Sequence, residues 1–235
     1  MPVTKCSTIL IDLIMKIIIQ ILLVGISLFF VYKIYQSISE PTKFNQEKIE
    51  RYQVVVDKLK ELRTAQLAHL ELRGNYTQNY DSLIYVIENG KFAITQRRDT
   101  SYPDVERNRA FGLDPYTGGY YKEEVVIDTL GFKSVKDSLF RAIDYKNLHK
   151  VMVKGKEIPV HLQAGYLEVN ERKVPVFEAS VSKDDILHGM NSDLIIAEKN
   201  VVAVDGINGD KVIVGSMDNI STNGNWPVRY DGKKE

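Results

Sequence analysis

"MKIIIQILLVGISLFFVYKIYQS" occupies residues 15–37, and its reading decides the architecture of the whole chain. From Ile17 to Tyr32 there is no charged side chain, Gln20 is the most polar residue, and Lys16 and Lys33 bracket the run. A bilayer core takes roughly 20 helical residues, and the stems of the two bracketing lysines can reach outward and lengthen a short window. Tyr32 and Tyr35 fall where an interfacial aromatic belt would lie. An export signal closes on small residues in an A-x-A-like pattern, whereas here the chain continues "VYKIYQSISEP" over 31–41. The run is therefore expected to be an uncleaved signal anchor with Ile17, Leu22, Leu23, Phe29 and Phe30 in lipid. The competing reading, a helix buried in a globular core, is disfavoured because no other segment matches this hydrophobicity. Met15-Lys16 also has the character of a translation start, which would make residues 1–14 an extension.

Basic residues flank both ends of the run: Lys5 and Lys16 precede it, and Lys33, Lys43, Lys48 and Arg51 follow it among Glu40, Glu47 and Glu50. Charge bias therefore does not set the orientation. A short N-terminal tail before a long translocated part is the usual signal-anchor arrangement. It gives a single-pass inner-membrane protein with a cytoplasmic N-terminus and a periplasmic C-terminal domain. Cys6 is the only cysteine, so there is no disulfide framework. The 31 Lys and Arg balance 31 Asp and Glu for a formal net charge of zero. A nucleic-acid binder normally carries a basic excess, so nucleic acid is not an expected partner.

Four segments follow from these signals: a tail and transmembrane anchor (1–40), an amphipathic stalk helix (41–74), an α/β segment with a long Tyr-rich loop (75–150) and a β-rich C-terminal domain (151–235). Pro41 is expected to end or kink the anchor. A helix is then predicted from Phe44 to Arg73, with Ile49, Tyr52, Val55, Val56, Leu59, Leu62, Leu67 and Leu70 on one broad arc. Arg63 and Gln66 interrupt the arc, so a sustained coiled-coil seam is not expected. Ala65, Ala68 and Leu72 make a second apolar stripe. The arc either packs on the helix's own domain or, through Tyr52, Val56, Leu59 and Leu70, against copies of itself or a partner. Gly74-Asn75 is a helix stop.

Asp81 or Asn79 caps a predicted helix over Ser82–Glu88, and a strand is predicted from Lys91 to Gln96. Residues 97–121, "RRDTSYPDVERNRAFGLDPYTGGYY", read as a polar loop. A short strand at Val125–Ile127 and a Ser134-capped helix follow. The C-terminal third carries strand signals: "PVHLQAGYLEVNERKVPVFEASV" as two strands about a turn at Asn170–Lys173, "DDILHGM" as a helical turn, and "NVVAVDGINGDKVIVGSM" as two β-rich runs joined by a turn at Asp205–Asp210. The expected fold class is α+β: a transmembrane helix, a long amphipathic helix, then a mixed domain ending in antiparallel sheet.

This order, carried by "LRTAQLAHLELRGNYTQNYDSLIYVIENG" at 62–90, resembles type IV pilins and the pseudopilins of type II secretion over roughly residues 15–96. The chain departs from that pattern at its start, where Met15-Lys16-Ile17 has neither a preceding Gly nor an early Glu. The ending "VIVGSMDNISTNGNWP" at 212–227 is similar to that of a group of uncharacterised single-pass envelope proteins of Bacteroidota, which implies a two-membrane cell and a periplasmic domain. "DSL", "DTL" and "DSL", at residues 81–83, 128–130 and 137–139, resemble the Asp-Ser/Thr-aliphatic acceptor of Bacteroidota O-glycosylation. They make Ser82, Thr129 and Ser138 candidate acceptors. Helix capping and packing account equally for the first and third.

Little in the chain points to a reaction centre. His69, His149, His161 and His188 are scattered without zinc spacing. No nucleophile elbow and no phosphate-cradling loop is present. Glu123-Glu124 and Asp184-Asp185 are sequence neighbours that would face opposite ways on a strand. Asp218, Asn219, Asn223 and Asn225 offer hard oxygens of the kind that hold calcium, without the spacing of a calcium loop. No cofactor, metal or small-molecule substrate is expected. Tyr102, Tyr116, Tyr120 and Tyr121 give the long loop the composition of an interface. The expectation is a non-enzymatic structural subunit or scaffold of an envelope-spanning assembly, partnered by the lipid bilayer and by other envelope proteins or copies of itself. A pilin-like fibre subunit and a membrane-tethered periplasmic enzyme or ligand-binding domain are the alternatives.

Overall fold

A computed structural model describes residues 3–114 and 117–231, with residues 3–14 as backbone only. One helix, α1 (Val3–Arg73), dominates it. At 1.5 Å per residue it is about 105 Å long. The expected end of the anchor at Pro41 is corrected, because Pro41 lies inside α1. A proline removes one backbone donor and crowds the preceding turn. That loss is local, and the helix continues through it. Beside it, the Thr42 hydroxyl donates to the Ile38 carbonyl over 2.8 Å.

The two halves of α1 have opposite surroundings. From Met15 to Ile38 the apolar side chains are exposed all round, and this is the one helix among the described residues long and apolar enough to cross a membrane, with a best-window hydropathy of 2.4. From Phe44 to Ala68 the helix is the strut around which the body folds. Tyr52, Val55, Val56, Leu59 and Leu62 are fully buried in a single hydrophobic cluster that also takes residues from the middle and C-terminal thirds of the chain.

After Arg73 the chain turns back into α2 (Tyr80–Asn89), capped by Asn79, whose side chain accepts from the Asp81 amide. Two strands then form a ribbon, β1 (Lys91–Pro103) and β2 (Tyr121–Ser134), with α3 (Val105–Phe111) between them. The predicted loop over 97–121 is thus corrected to strand, helix and turn. Residues 96–102 lack the apolar alternation of a half-buried strand because water lies on both sides of a two-stranded ribbon. Asp104, accepting from the Arg107 amide at 3.1 Å, and Gly112, at φ 64°, bound α3 as cap and stop.

α4 (Val135–Leu139) is capped by Ser134. The hairpin β3 (Lys150–Val153) and β4 (Lys156–Pro159) follows, and then β5 (His161–Val169) and β6 (Arg172–Ser182), joined through Asn170 and Glu171, both at positive φ. Positive φ at both central residues is the turn that matches strand twist. α5 (Lys183–Ile186), α6 (Ser192–Asn200) and β7 (Lys211–Gly215) complete the body. The sheet order is β5-β6-β7, antiparallel. Central β6 buries side chains on both faces, Val176, Phe177, Ala179 and Val181 among them. Of the two β-rich runs expected over 200–217, only the second is a strand. Val202 and Val204, at 89% and 95% exposure, lie in a loop without a partner strand. The fold is α+β, a long apolar N-terminal helix followed by antiparallel sheets.

Candidate functional site

Packing of α1 decides which of its residues are free for partners. Tyr52, Val56 and Leu59 belong to the core of their own domain and Leu70 is half-buried, whereas Ile49 and Leu67 are exposed. The buried arc instead takes in Arg51, Gln66 and His69, which a hydropathy pattern cannot place inside. Gln66 and His69 are admitted because their polar atoms find partners, and Arg51 because its two terminal nitrogens do, its buried Nε having none. Gln66 bonds both ways with the Thr77 backbone, donating to its carbonyl at 2.6 Å and accepting from its amide at 3.1 Å. His69 Nδ1 lies 2.7 Å from the Asn75 carbonyl and Nε2 lies 3.0 Å from the Ser82 hydroxyl. A carbonyl can only accept, so Nδ1 carries the proton and Nε2 accepts from Ser82. Arg51 donates from Nη1 to the carbonyls of Ile186 and His188, and from Nη2 to Glu47 at 2.7 Å. That bond holds the Glu47 carboxyl below its ordinary range.

A second polar knot joins α1 to α6. The Glu198 carboxylate takes Lys48 Nζ at 2.8 Å and the Tyr52 hydroxyl at 3.4 Å, and lies 3.7 Å from Lys183 Nζ. Lys183 is completely buried and also donates to the carbonyls of Ile207 and Glu198. Burial pushes its ammonium below the ordinary lysine value, and the charge of Glu198 opposes that shift. Every donor here has a structural acceptor, so the knot reads as a brace.

Open space lies elsewhere. A groove of about 570 Å³ runs between α1 and the β3–β4 hairpin. Its lysines are already paired with its own carboxylates, Lys58 with Glu61 at 2.6 Å and Lys150 with Glu157 at 3.1 Å. Among the described residues no group of three or more His, Cys, Asp or Glu has metal-binding geometry. In the loop from Asp218 to Asn225, Asn225 holds the edge of β7, accepting from the Ile213 amide and donating to the Lys211 carbonyl. Gly215 within it is obligatory. Its φ is +78°, and a Cβ there would lie 2.2 Å from the Phe177 carbonyl oxygen.

The β1–β2 ribbon is largely exposed along both strands. It pairs from Lys91↔Ser134 to Pro103↔Tyr121, with a bulge that leaves Leu130 without a cross-strand partner. Thirteen residues at about 3.3 Å each make an arm of about 40 Å. Where the ribbon leaves the body, the Val135 amide just after β2 donates to the Gly90 carbonyl just before β1 over 3.0 Å. Register places Tyr121, Val125, Ile127 and Phe132 on one face together with Arg97, Asp99 and Glu123, and the more polar set of Arg98, Tyr102, Glu124 and Asp128 on the other. Val125, Ile127, Leu130 and Phe132 are 45–70% exposed. On the polar face Arg98 lies 3.2 Å from Asp128, and the Tyr102 hydroxyl donates to Glu124 at 2.6 Å.

Three of the tyrosines expected at an interface lie on the arm. Tyr102 and Tyr121 lie on its strands, and Tyr120 sits at its tip under the Arg107 guanidinium, 4.2 Å from the ring centre. Tyr116 lies outside the described residues. Of the candidate acceptor hydroxyls, Thr129 is exposed on β2, Ser82 is engaged with His69, and the Ser138 Oγ is buried. Ile17, Leu22, Leu23, Phe29 and Phe30 are all about half exposed or more on the uncovered half of α1. Comparison with known protein families, curated proteins and solved structures finds no match to this chain.

Proposed function

We propose that this chain is a non-enzymatic, single-pass inner-membrane protein that presents an α+β body and a projecting β-arm in the periplasm, as a structural subunit or scaffold of an envelope-spanning assembly of the secretion, pilus-like or motility kind. The observation that carries the reading is the double use of α1. From Met15 to Ile38 its apolar side chains are exposed all round, and from Phe44 to Ala68 it is the centre of the body's core. A span and a core strut made from one helix tie the body's orientation to the bilayer, which is what a fixed building block needs and a tethered enzyme on a loose linker does not. The arm adds a partner-facing surface with no other structural task in the body. The resemblance of the C-terminal stretch to Bacteroidota envelope proteins accords with the periplasmic assignment.

The test is gentle detergent extraction of the tagged, full-length protein, followed by native sizing and mass spectrometry of what accompanies it. A large complex of fixed stoichiometry is the expected result. A lone monomer that survives mild extraction would overturn the scaffold reading.

A second reading, a pilin-like fibre subunit, draws on the same helix, half apolar and half embedded in a head with an antiparallel sheet. It requires removal of the residues before the apolar run. Mass measurement of the mature chain decides between the two: an intact N-terminal segment leaves the fixed scaffold.

A further inference from the structure

We propose that the β1–β2 arm is a strand-addition edge between copies of this chain. The outer edge of β1 in one copy takes the outer edge of β2 in the next, extending the ribbons into one antiparallel sheet. The inference rests on the membrane-anchored scaffold reading, and names its partner as a second copy.

The first argument is that the ribbon is incomplete as it stands. Among the described residues it has two strands and no third, and most of its side chains are exposed. An isolated two-stranded ribbon is marginal in water, and each unpaired edge is a row of backbone donors and acceptors ready to template another strand. The exposed side chains of Val125, Ile127, Leu130 and Phe132 add apolar surface that a neighbouring ribbon would partly cover.

Charge selects the partner. β1 carries Lys91, Arg97 and Arg98 against Asp99, and β2 carries Glu123, Glu124 and Asp128 against Lys122 and Lys133. The two edges therefore have opposite net charge. Pairing β1 with a second β1 would bring Arg97 and Arg98 against their own kind, and β2 with β2 would do the same for Glu123 and Glu124. Like charges across a strand pair are unfavourable and opposite charges are favourable. The chain already realises the favourable combination internally, in the contacts Arg98–Asp128 and Tyr102–Glu124.

Polarity agrees with charge. A membrane-spanning α1 gives every copy the same up-down sense. When neighbouring arms point the same way, β1 of one runs antiparallel to β2 of the next, which is the sense of the internal pair. Such an interface is heterologous, so it propagates into rings or rows and does not stop at two copies. Beyond the bulge at Leu130 the arm offers its longest regular stretch, from Thr95↔Thr129 to Pro103↔Tyr121.

The experiment uses full-length protein carrying Cys6→Ser, as two differently tagged populations in one membrane. One population bears Thr95→Cys and the other Thr129→Cys, neutral register partners that leave every charge in place. A short bismaleimide is expected to join the two tags several-fold more efficiently than it joins either variant to itself. Adding Arg97→Glu and Arg98→Glu to the first population, or raising the salt, is expected to abolish most of that product. Predominant self-crosslinks would overturn the proposal. So would mixed yields no higher than those from Lys173→Cys on the body surface. A large native complex without arm crosslinks would sink the arm and leave the scaffold reading intact. A lone monomer would sink both.

Discussion

The Asn191 side-chain amide donates to the Glu40 carboxylate over 2.7 Å, bonding the start of α6 to α1 two residues beyond Ile38. The body therefore begins where the apolar run ends. The helix predicted over 44–73 packs on its own domain, the first of the two arrangements expected for it. It is the centre of that domain, and the arm emerges at the far end, beside Leu72 and Gly90. At 1.5 Å per residue, the helix from Ile38 to Leu72 rises about 50 Å. The arm is accordingly held at the pole of the body farthest from the apolar run.

Because α1 is core, the body cannot be separated from it. Tyr52, Val55, Val56, Leu59 and Leu62 are each at most 1% exposed, and burying one large apolar side chain is worth about 1.5–3 kcal/mol. Losing all of them exceeds the 5–15 kcal/mol of a typical domain's whole stability once their partners are exposed too. A fragment of residues 40–235 is expected to be soluble and to melt cooperatively. A fragment of residues 75–235 is expected to show no cooperative transition by circular dichroism. A cooperative melt in the shorter fragment would show that α1 is dispensable to the core.

Glu198 is the counter-charge for two lysines, one of them fully buried. Removing one member of a buried charge pair leaves the other uncompensated, at a cost of about 3–5 kcal/mol. Glu198→Ala is expected to fall in that range in urea titrations of the 40–235 fragment. Lys48→Ala is expected to cost less, since Glu198 keeps Lys183 and Tyr52. The sign of the pH dependence follows from Lys183. Its folded value is depressed by burial, so the unfolded chain binds more protons and stability rises with pH up to the ordinary lysine value. Without Glu198 the depression deepens. The deficit of Glu198→Ala should therefore shrink from neutral to mildly alkaline pH, and a deficit independent of pH would remove Lys183 from the account.

Much of this could be read in the sequence, and the limits have physical causes. The long apolar N-terminal helix was legible because an uncharged run as long as Ile17–Tyr32 fits a helix and little else. The inward arc of α1 was legible at Tyr52, Val55, Val56, Leu59 and Leu62 because burial follows the helical period. Gln66 and His69 escaped it, since what admits them is a hydrogen bond to a turn that only tertiary structure brings near. The arm escaped because both faces of β1 meet water, although the cap at Asp104 and the stop at Gly112 were present as signals for α3.

Ser82 and His69 have the hydrogen-bond geometry of a nucleophile and its base, but the pair is built into the α1–α2 turn. His69 is 4% exposed and its other nitrogen is held by the Asn75 carbonyl. Ser82→Ala leaves Nε2 without its donor, and an unsatisfied buried polar atom costs about 1–3 kcal/mol. A stability loss of that size is the expected outcome, together with no labelling of Ser82 by serine-directed phosphonates in the full-length protein. Stoichiometric labelling would place a reaction centre here and overturn the non-enzymatic reading.

The only tryptophan reports on how the C-terminal segment docks. Trp226 Nε1 donates to Asp231 at 3.0 Å, and Lys60 of α1 lies 3.4 Å from the same carboxylate oxygen. The Trp226 bond first, and Lys60 after it, hold the Asp231 carboxyl below its ordinary value of 3.8. A depressed folded value means that the unfolded chain takes up the proton first. The stabilisation is present above the ordinary aspartate value and is lost as pH falls through the lower, folded one. Acid titration of the 40–235 fragment should therefore shift Trp226 fluorescence at a pH below that of an ordinary aspartate, while far-UV dichroism is still native. Asp231→Asn abolishes the shift, and Lys60→Ala moves its midpoint upward toward the unperturbed carboxylate. A midpoint unmoved by either substitution would assign the transition to another group and detach the tail from α1.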